Sequence, residues 1–110
     1  MGITHMIFFK FKDSASKEEV SEASKNLIAL AKNCIHPTTN APYILSSTGG
    51  ENISNEGMSG EFTHGFVSQF ANKEDMEYYL RSDPAHMAFI KSVGAIAEKA
   101  QVIDYEDGKY

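Results

Sequence analysis

Apolar and polar positions alternate along two long stretches of the chain, residues 3–12 and 61–71. In both stretches isoleucine or phenylalanine occupies most positions on one side of the chain, and a histidine interrupts each row at His5 and His64. Alternation with a period of two is typical of β-strands that bury one face. The pattern therefore predicts two long strands, each with an imidazole among its apolar side chains.

Apolar residues recur at helical spacing between these strands. Ser16 and Glu19 form the S-x-x-E pattern of a capping box, which predicts a helix that runs to about Asn33. Its predicted buried stripe consists of Val20, Ala23, Leu27, Leu30 and Cys34. This helix is predicted to be structural.

Two further helices are predicted after the second long strand. Asn72 is a good N-cap for a short helix through Arg81. Asp83 is a good N-cap for a third helix, because the proline after it suits the first helical position. The third helix is predicted to run to about Lys99.

Two shorter strands are predicted at 43–47 and 101–106. The predicted elements then follow the order strand, helix, strand, strand, helix pair, strand. This is the order of a ferredoxin-like α+β fold, in which helices cover one face of a four-stranded antiparallel sheet. The 110 residues are predicted to form a single domain, 1–110.

The first strand is apolar on both faces, since Met6 and Phe8 lie opposite the row that contains His5. Helices of so small a chain can cover only one face of the sheet. A second copy of the chain is the expected cover for the other face, so the pattern predicts a homodimer.

Charge and composition exclude several classes of partner. The chain has 10 Lys and Arg against 15 Asp and Glu, and its basic residues are scattered, so we expect no nucleic-acid or membrane-surface binding. No apolar run has the length of a membrane span or the pattern of a signal peptide, and the single Cys34 cannot form an internal disulfide. We expect a cytoplasmic protein without a metal, because the four histidines lack ligand spacing.

His86 is the first candidate for chemistry. It falls in the first turn of the third predicted helix, on the face shared by Phe89, Ile90 and Val93. The positive end of the helix dipole disfavours the imidazolium form there, so the neutral ring can accept a proton as a general base. The alternative is a core histidine that makes one hydrogen bond.

His5 and His64 strengthen the functional interpretation, because a buried imidazole without a partner costs free energy. Phe9, Phe66 and Phe89 are the apolar neighbours predicted to line a pocket with them, and Tyr78 or Tyr79 can offer a phenol. The glycine-rich segment 48–60 is predicted to be a surface loop or a flap. It lacks the lysine and helix start of a phosphate-binding loop.

Four segments together resemble the stress-responsive dimeric A/B barrel domain family. They are Thr4-His5-Met6-Ile7-Phe8-Phe9-Lys10-Phe11-Lys12, Phe62-Thr63-His64-Gly65-Phe66-Val67-Ser68-Gln69-Phe70, the segment 79–89, and Val102-Ile103-Asp104-Tyr105. The resemblance implies a ferredoxin-like fold whose sheets pair back to back in a dimeric α/β barrel.

The family includes plant heat-stable stress proteins and a polyketide cyclase, olivetolic acid cyclase. Similarity to the cyclase implies that His86 is a base, that His5 and His64 line the cavity, and that Tyr79 is the catalytic tyrosine. The spacing from tyrosine to proline is one residue longer here than in the cyclase, and Tyr78 is the alternative. The loop before Glu61 is also longer.

The resemblance leaves three functions open. The first is a homodimer that binds a small hydrophobic molecule in a pocket lined by histidine and tyrosine. The second is a polyketide cyclase-like lyase that needs no cofactor and abstracts a proton for an aldol-type reaction. The third is a monooxygenase, which only the similarity of the fold supports.

Overall fold

The computed structural model describes residues 2–110 and contains four strands and three helices. In chain order they are β1 (Ile3–Phe11), α1 (Lys17–Asn33), β2 (Ile44–Glu51), β3 (His64–Phe70), α2 (Lys73–Arg81), α3 (Pro84–Val93) and β4 (Ala97–Glu106). The strands form one antiparallel sheet in the order β2-β3-β1-β4. The predicted ferredoxin-like α+β architecture is confirmed.

The side chains of β1 divide between the two faces of the sheet. His5, Phe9 and Phe11 are buried on the face that the helices cover, together with the β3 residues Phe66 and Phe70. The core on this face also contains Leu27, Leu30, Tyr79 and Val93 from the helices. The long apolar rows of β1 and β3 thus form the floor of the core.

The opposite face of the sheet carries no helix, and we call it the open face. Its residues include Met6, which pairs in register with Val67 on one side and Ile103 on the other. Ile103 is 48% exposed and Tyr105 is 45% exposed. The protomer therefore presents apolar side chains on a sheet surface that its own helices leave uncovered.

All three predicted helix starts are present. Ser16 and Glu19 form the complete capping box of α1, and the Asn72 side chain accepts a hydrogen bond from the Asp75 amide at 2.8 Å. Asp83 caps α3 by accepting from the Ala85 amide at 2.9 Å. Each side chain satisfies a backbone N–H that the first helical turn leaves free.

The structure corrects three predicted element boundaries and one predicted contact. β3 begins at His64, three residues later than the predicted strand 61–71. α3 ends at Val93, with Gly94 as its C-cap, and residues 97–99 belong to β4. β2 continues to Glu51, so the first residues of the predicted loop 48–60 are a strand. Ile90 is 46% exposed and does not share the buried face of His86.

Candidate functional site

His5 and Asp104 face each other across the β1–β4 ladder. The two residues are register partners, and His5 Nδ1 lies 2.5 Å from Asp104 Oδ1. Because an ionised carboxylate only accepts hydrogen bonds, the imidazole donates from Nδ1. Nε2 of a neutral His5 therefore keeps its lone pair. The His5 side chain is only 4% exposed, whereas that of Asp104 is 26% exposed.

Tyr79 and His86 form a stacked pair of rings at the junction of α2 and α3. Their ring centroids are 3.7 Å apart, and the ring planes meet at 15°. His86 Nδ1 also lies 2.7 Å from the backbone carbonyl oxygen of Tyr79, which can only accept a hydrogen bond. Nδ1 of His86 therefore carries the proton, and Nε2 carries the lone pair of the neutral ring.

Burial sets the protonation state of both residues in this pair. Burial lowers the pKa of His86 below its ordinary value, and the nearby His5 acts in the same direction. The hydrogen bond to the Tyr79 carbonyl and the Asp83 carboxylate oppose this shift without reversing it. Burial raises the pKa of Tyr79. The pair thus consists of a neutral imidazole and a neutral phenol.

Tyr79 joins the two histidines into one cluster. Its ring contacts the edge of His5 with a centroid distance of 5.8 Å, and both rings contact Phe70. We call His5, Tyr79, His86 and Asp104 the polar cluster. Of the four, His5, Tyr79 and His86 are at most 7% exposed.

Three polar atoms of the polar cluster have no protein partner. The hydrogen bonds among residues 2–110 leave out His5 Nε2, His86 Nε2 and the Tyr79 hydroxyl. Every side-chain N or O atom that is sealed from solvent in this part of the chain does have a partner. The three atoms therefore contribute to the small exposed surface of their residues.

Asp83 is a buried residue at the start of α3, next to the polar cluster. Its side chain is 1% exposed and accepts hydrogen bonds from the Tyr43 hydroxyl at 2.6 Å and from the His86 amide at 3.4 Å. Cys34 is fully buried beside it, and burial, followed by the Asp83 carboxylate, raises the pKa of the thiol to about 12. Cys34 is thus a packed thiol and Asp83 an anchor for the start of α3.

His64 lies apart from the polar cluster. It begins β3, four residues before Ser68, the register partner of His5. Its Nδ1 lies 2.9 Å from Thr63 Oγ1, and burial lowers its pKa. His64 lines a surface cavity of 550 Å³ that also contacts Phe8 and Phe62. The structure therefore brings together three of the four predicted polar site residues.

The predicted apolar site residues are part of the core. Phe9 packs edge to face against Phe66 with a centroid distance of 6.0 Å, and Phe89 is 8% exposed. Tyr78, the alternative tyrosine, contacts Tyr43 and His36 and does not stack on His86. Tyr79 is the tyrosine of the polar cluster.

Residues 2–110 contain no group of three or more His, Cys, Asp or Glu side chains arranged to hold a metal ion. Within the same residues, no helix combines the length and the apolar character that a membrane crossing requires.

Comparison with known proteins identifies the family. The sequence profile of the stress responsive A/B barrel domain matches residues 3–107, which is nearly the whole chain. The chain belongs to this family. A curated relative, the stress-response A/B barrel domain-containing protein HS1 of Arabidopsis thaliana, is 31% identical over 104 residues, which cover 94% of this chain and 88% of the relative.

Solved structures share the fold of this A/B barrel domain over most of its length. A crystal structure of an Arabidopsis thaliana protein superposes with a TM-score of 0.83 at 30% identity, covering 98% of this chain and 97% of the other. The hydroxynitrile lyase from Passiflora edulis gives 0.80 at 20% identity, with 99% and 96% covered. A dimeric ferredoxin-like protein of unknown function from Jannaschia gives 0.77 at 20% identity, with 96% and 99% covered.

Asp104 is the residue of this A/B barrel domain that the sequence interpretation missed. Its partnership with His5 spans 99 positions and depends on the register between β1 and β4. The one available signal was its position, because Asp104 is the single acidic residue in the apolar run 102–105. A carboxylate in such a run needs a partner when the strand packs.

Proposed function

We propose that the protein is a homodimer that binds a small, mainly apolar molecule at the polar cluster, where the ligand's oxygen atoms meet Tyr79 and His86. The observation that carries this proposal is the set of three polar atoms without protein partners in side chains that are almost fully buried. Because these atoms reach the small exposed surface of the polar cluster, a ligand can replace the water that otherwise satisfies them.

The chemistry of the three atoms defines the ligand. The Tyr79 hydroxyl can donate to a carbonyl oxygen, and the lone pair on His86 Nε2 can accept from a hydroxyl or enol. Phe70 packs against His5 and Tyr79 and makes the surroundings apolar. A small aromatic or aliphatic molecule with a carbonyl next to a hydroxyl or enol group matches this combination.

The open face supports the homodimer. Ile103 and Tyr105 are about half exposed there, and β4 is an edge strand. Ferredoxin-like proteins of related structure are described as dimeric. Pairing of two open faces would remove the apolar side chains from water.

Benzoylacetone is a suitable probe for the ligand site, because its enol can donate to an imidazole and its carbonyl can accept from the Tyr79 hydroxyl. We expect its titration to shift the His5 and His86 side-chain signals in NMR spectra in a saturable way. Tyr79→Phe should weaken the affinity about 2- to 10-fold, as for one lost hydrogen bond. His86→Gln should weaken it as well.

The matched control is His36→Gln, because His36 lies outside the polar cluster, beside Asp75 and Tyr78. This variant should bind benzoylacetone with the affinity of the parent protein. Shifts that do not saturate, or that are equal in the His36 and His86 variants, would contradict the proposed site.

One observation favours acid–base catalysis as a second candidate function. The carbonyl of Tyr79 fixes the proton of His86 on Nδ1, and burial keeps the ring neutral, so Nε2 can act as a base. His86 would remove a proton from a carbon next to a carbonyl group, and the Tyr79 hydroxyl would donate a hydrogen bond to the developing oxyanion. This chemistry is that of a cofactor-independent polyketide cyclase-like lyase.

The linear triketone heptane-2,4,6-trione tests this second candidate. Its terminal methyl carbon attacks the far carbonyl in an aldol step, and loss of one water gives 3,5-dihydroxytoluene, which is detected by its absorbance. We expect the protein to accelerate the cyclisation and His86→Gln to reduce the rate about 100-fold or more. An equal cyclisation rate with the parent protein and with His86→Gln would contradict catalysis by His86 and leave ligand binding as the proposed function.

A further inference from the structure

The segment 34–43 connects α1 to β2 and folds back on itself at His36. The His36 amide donates to the Ala41 carbonyl at 2.9 Å, and the Asn40 amide donates to the His36 carbonyl at 3.0 Å. These two hydrogen bonds join backbone atoms only. They therefore close the base of the segment independently of the His36 side chain.

Both ring nitrogens of His36 have a partner. The backbone N–H groups of Thr38 and Thr39 donate to Nδ1 at 3.1 and 3.4 Å. Nε2 lies 3.3 Å from Asp75 Oδ1 in the first turn of α2. Because a backbone N–H can only donate, Nδ1 carries the lone pair, and Nε2 carries the proton that it donates to the carboxylate. The observed contacts therefore require the neutral ring in this one tautomer.

A second proton on His36 would have opposite effects on these contacts. It would bind at Nδ1, because Nε2 already carries a proton, and a protonated Nδ1 cannot accept from Thr38 and Thr39. The contact with Asp75 would persist and become stronger, because the imidazolium and the carboxylate carry opposite charges. The second proton thus detaches the ring from the segment 34–43 and leaves it attached to α2.

The surroundings of His36 allow its protonation to change while the ring stays in place. Its side chain is 23% exposed, so protons can reach it from solvent. The ring lies edge to face with Tyr43 at a centroid distance of 5.6 Å and contacts Tyr78 of α2 at 6.1 Å. Residues 37–42 carry no charged side chain. The titratable groups that face His36 are therefore Asp75 and these two phenols.

We propose that His36 is a proton-sensitive clamp, which holds the tip of the segment 34–43 in its neutral form and releases Thr38 and Thr39 when it gains a second proton. Histidine is the side chain that ordinarily changes its charge between about pH 8 and pH 5. The released state is confined to the tip, because the backbone hydrogen bonds of Asn40 and Ala41 do not involve the ring. The clamp makes the connection between α1 and β2 responsive to mild acid, whether or not the polar cluster binds a ligand.

NMR spectroscopy of the full chain tests the clamp. A change from about pH 8 to about pH 5 should move the Thr38 and Thr39 amide proton signals upfield, with the same midpoint as the His36 ring signals. The order parameters of these two amides should fall from about 0.85 to below about 0.6. That of Tyr43 should not change, because its hydroxyl donates to the buried Asp83 at 2.6 Å.

Two substitutions of His36 should each fix the tip in one state. In His36→Asn the side-chain oxygen can accept from the backbone N–H two residues on, as in an Asx turn, and it does not titrate. The Thr38 and Thr39 signals of this variant should keep their neutral positions in acid. His36→Ala has no acceptor, so its signals should have the acidic positions at both pH values.

Asp75→Asn and His64→Asn complete the set of variants. Asp75→Asn removes the carboxylate that faces the imidazolium, so the transition of the Thr38 signal should move to lower pH. His64→Asn is the matched control, because it removes a histidine at the start of β3, outside these contacts. It should leave the transition unchanged.

Three results would overturn the proposal. The first is a pair of Thr38 and Thr39 amide signals that do not change between the two pH values. The second is an equal pH dependence of these signals in the parent protein and in His36→Asn, because another group would then cause it. The third is a set of order parameters that stay high in acid, because the tip would then be held without the neutral imidazole.

Discussion

The carbonyl oxygen of Tyr79 accepts a hydrogen bond from the imidazole of His86 at 2.7 Å, while the rings of the same two residues stack at 3.7 Å. One residue thus holds the histidine both through its backbone and through its side chain. The two contacts have separate consequences, since a substitution at Tyr79 removes the ring contact and keeps the carbonyl.

Variants of Tyr79 separate the ring from its hydroxyl. Tyr79→Phe keeps the stacked ring, so we expect the free energy of unfolding to change by less than about 1 kcal/mol. Tyr79→Leu loses the stack and leaves a poorly filled core, and it should cost about 2–4 kcal/mol. Urea unfolding measures both values, and equal destabilisation by the two substitutions would show that the hydroxyl is structural.

Stability should fall in mildly acidic solution because of His86 and His64. Burial lowers the pKa of both below the ordinary value of 6.5, so the unfolded chain binds more protons than the folded chain below that pH. The free energy of unfolding therefore decreases as the pH falls from 7 to 5, with a slope of at most about 1.4 kcal/mol per pH unit for each histidine.

His86→Gln provides the test of this pH dependence, because it removes one of the two titrating groups. Chemical unfolding at several pH values should show that the free energy of unfolding changes less steeply with pH in the variant than in the parent protein. An equal pH dependence of the free energy of unfolding in the two proteins would mean that His86 binds its proton equally in the folded and unfolded chains.

Asp83 and Tyr43 should be energetically coupled. Asp83→Ala removes the N-cap of α3 and leaves the Tyr43 hydroxyl without its partner at 2.6 Å, so we expect a loss of about 2–4 kcal/mol. In the Tyr43→Phe background the same substitution should cost less, because no hydroxyl remains unpaired. A double-mutant cycle in urea measures the coupling.

The helix cap Asn72 is the matched control for this cycle. Asn72→Ala removes the exposed cap of α2 and should cost about 1 kcal/mol. Its cost should be the same with Tyr43 or Phe at position 43. Purely additive costs for Asp83→Ala and Tyr43→Phe would show that the buried hydrogen bond adds nothing beyond the cap.

Ile103 and Ile90 form a matched pair for testing the homodimer. Both are isoleucines of nearly equal exposure, 48% and 46%, but Ile103 lies on the open face and Ile90 on α3. Ile103→Lys should weaken dimerisation at least about tenfold, because it places a charge in the apolar interface. Sedimentation analysis at several concentrations should give Ile90→Lys the same mass as the parent protein. Equal effects of the two substitutions would argue against dimerisation through the open face.

Local sequence was sufficient for the elements whose pattern and caps agree. The alternation in β1 and the capping box of α1 predicted both elements within one residue of their observed ends. Local sequence was insufficient at the predicted end of α3, because Glu98, Lys99 and Ala100 of β4 are also good helix formers. Lys99 and Ala100 pair with β1, and the pairing overrides their helical preference.

The sequence by itself determined the α+β order, the burial of His5 and His86, and the start of α3 at Asp83 and Pro84. Periodicity and capping act between residues that are close along the chain, so they can be recognised without a fold. Only the tertiary structure decided that Asp104 faces His5, that Tyr79 rather than Tyr78 stacks on His86, and that His64 lies elsewhere. These relationships depend on strand register and helix packing between distant segments, which no local pattern specifies.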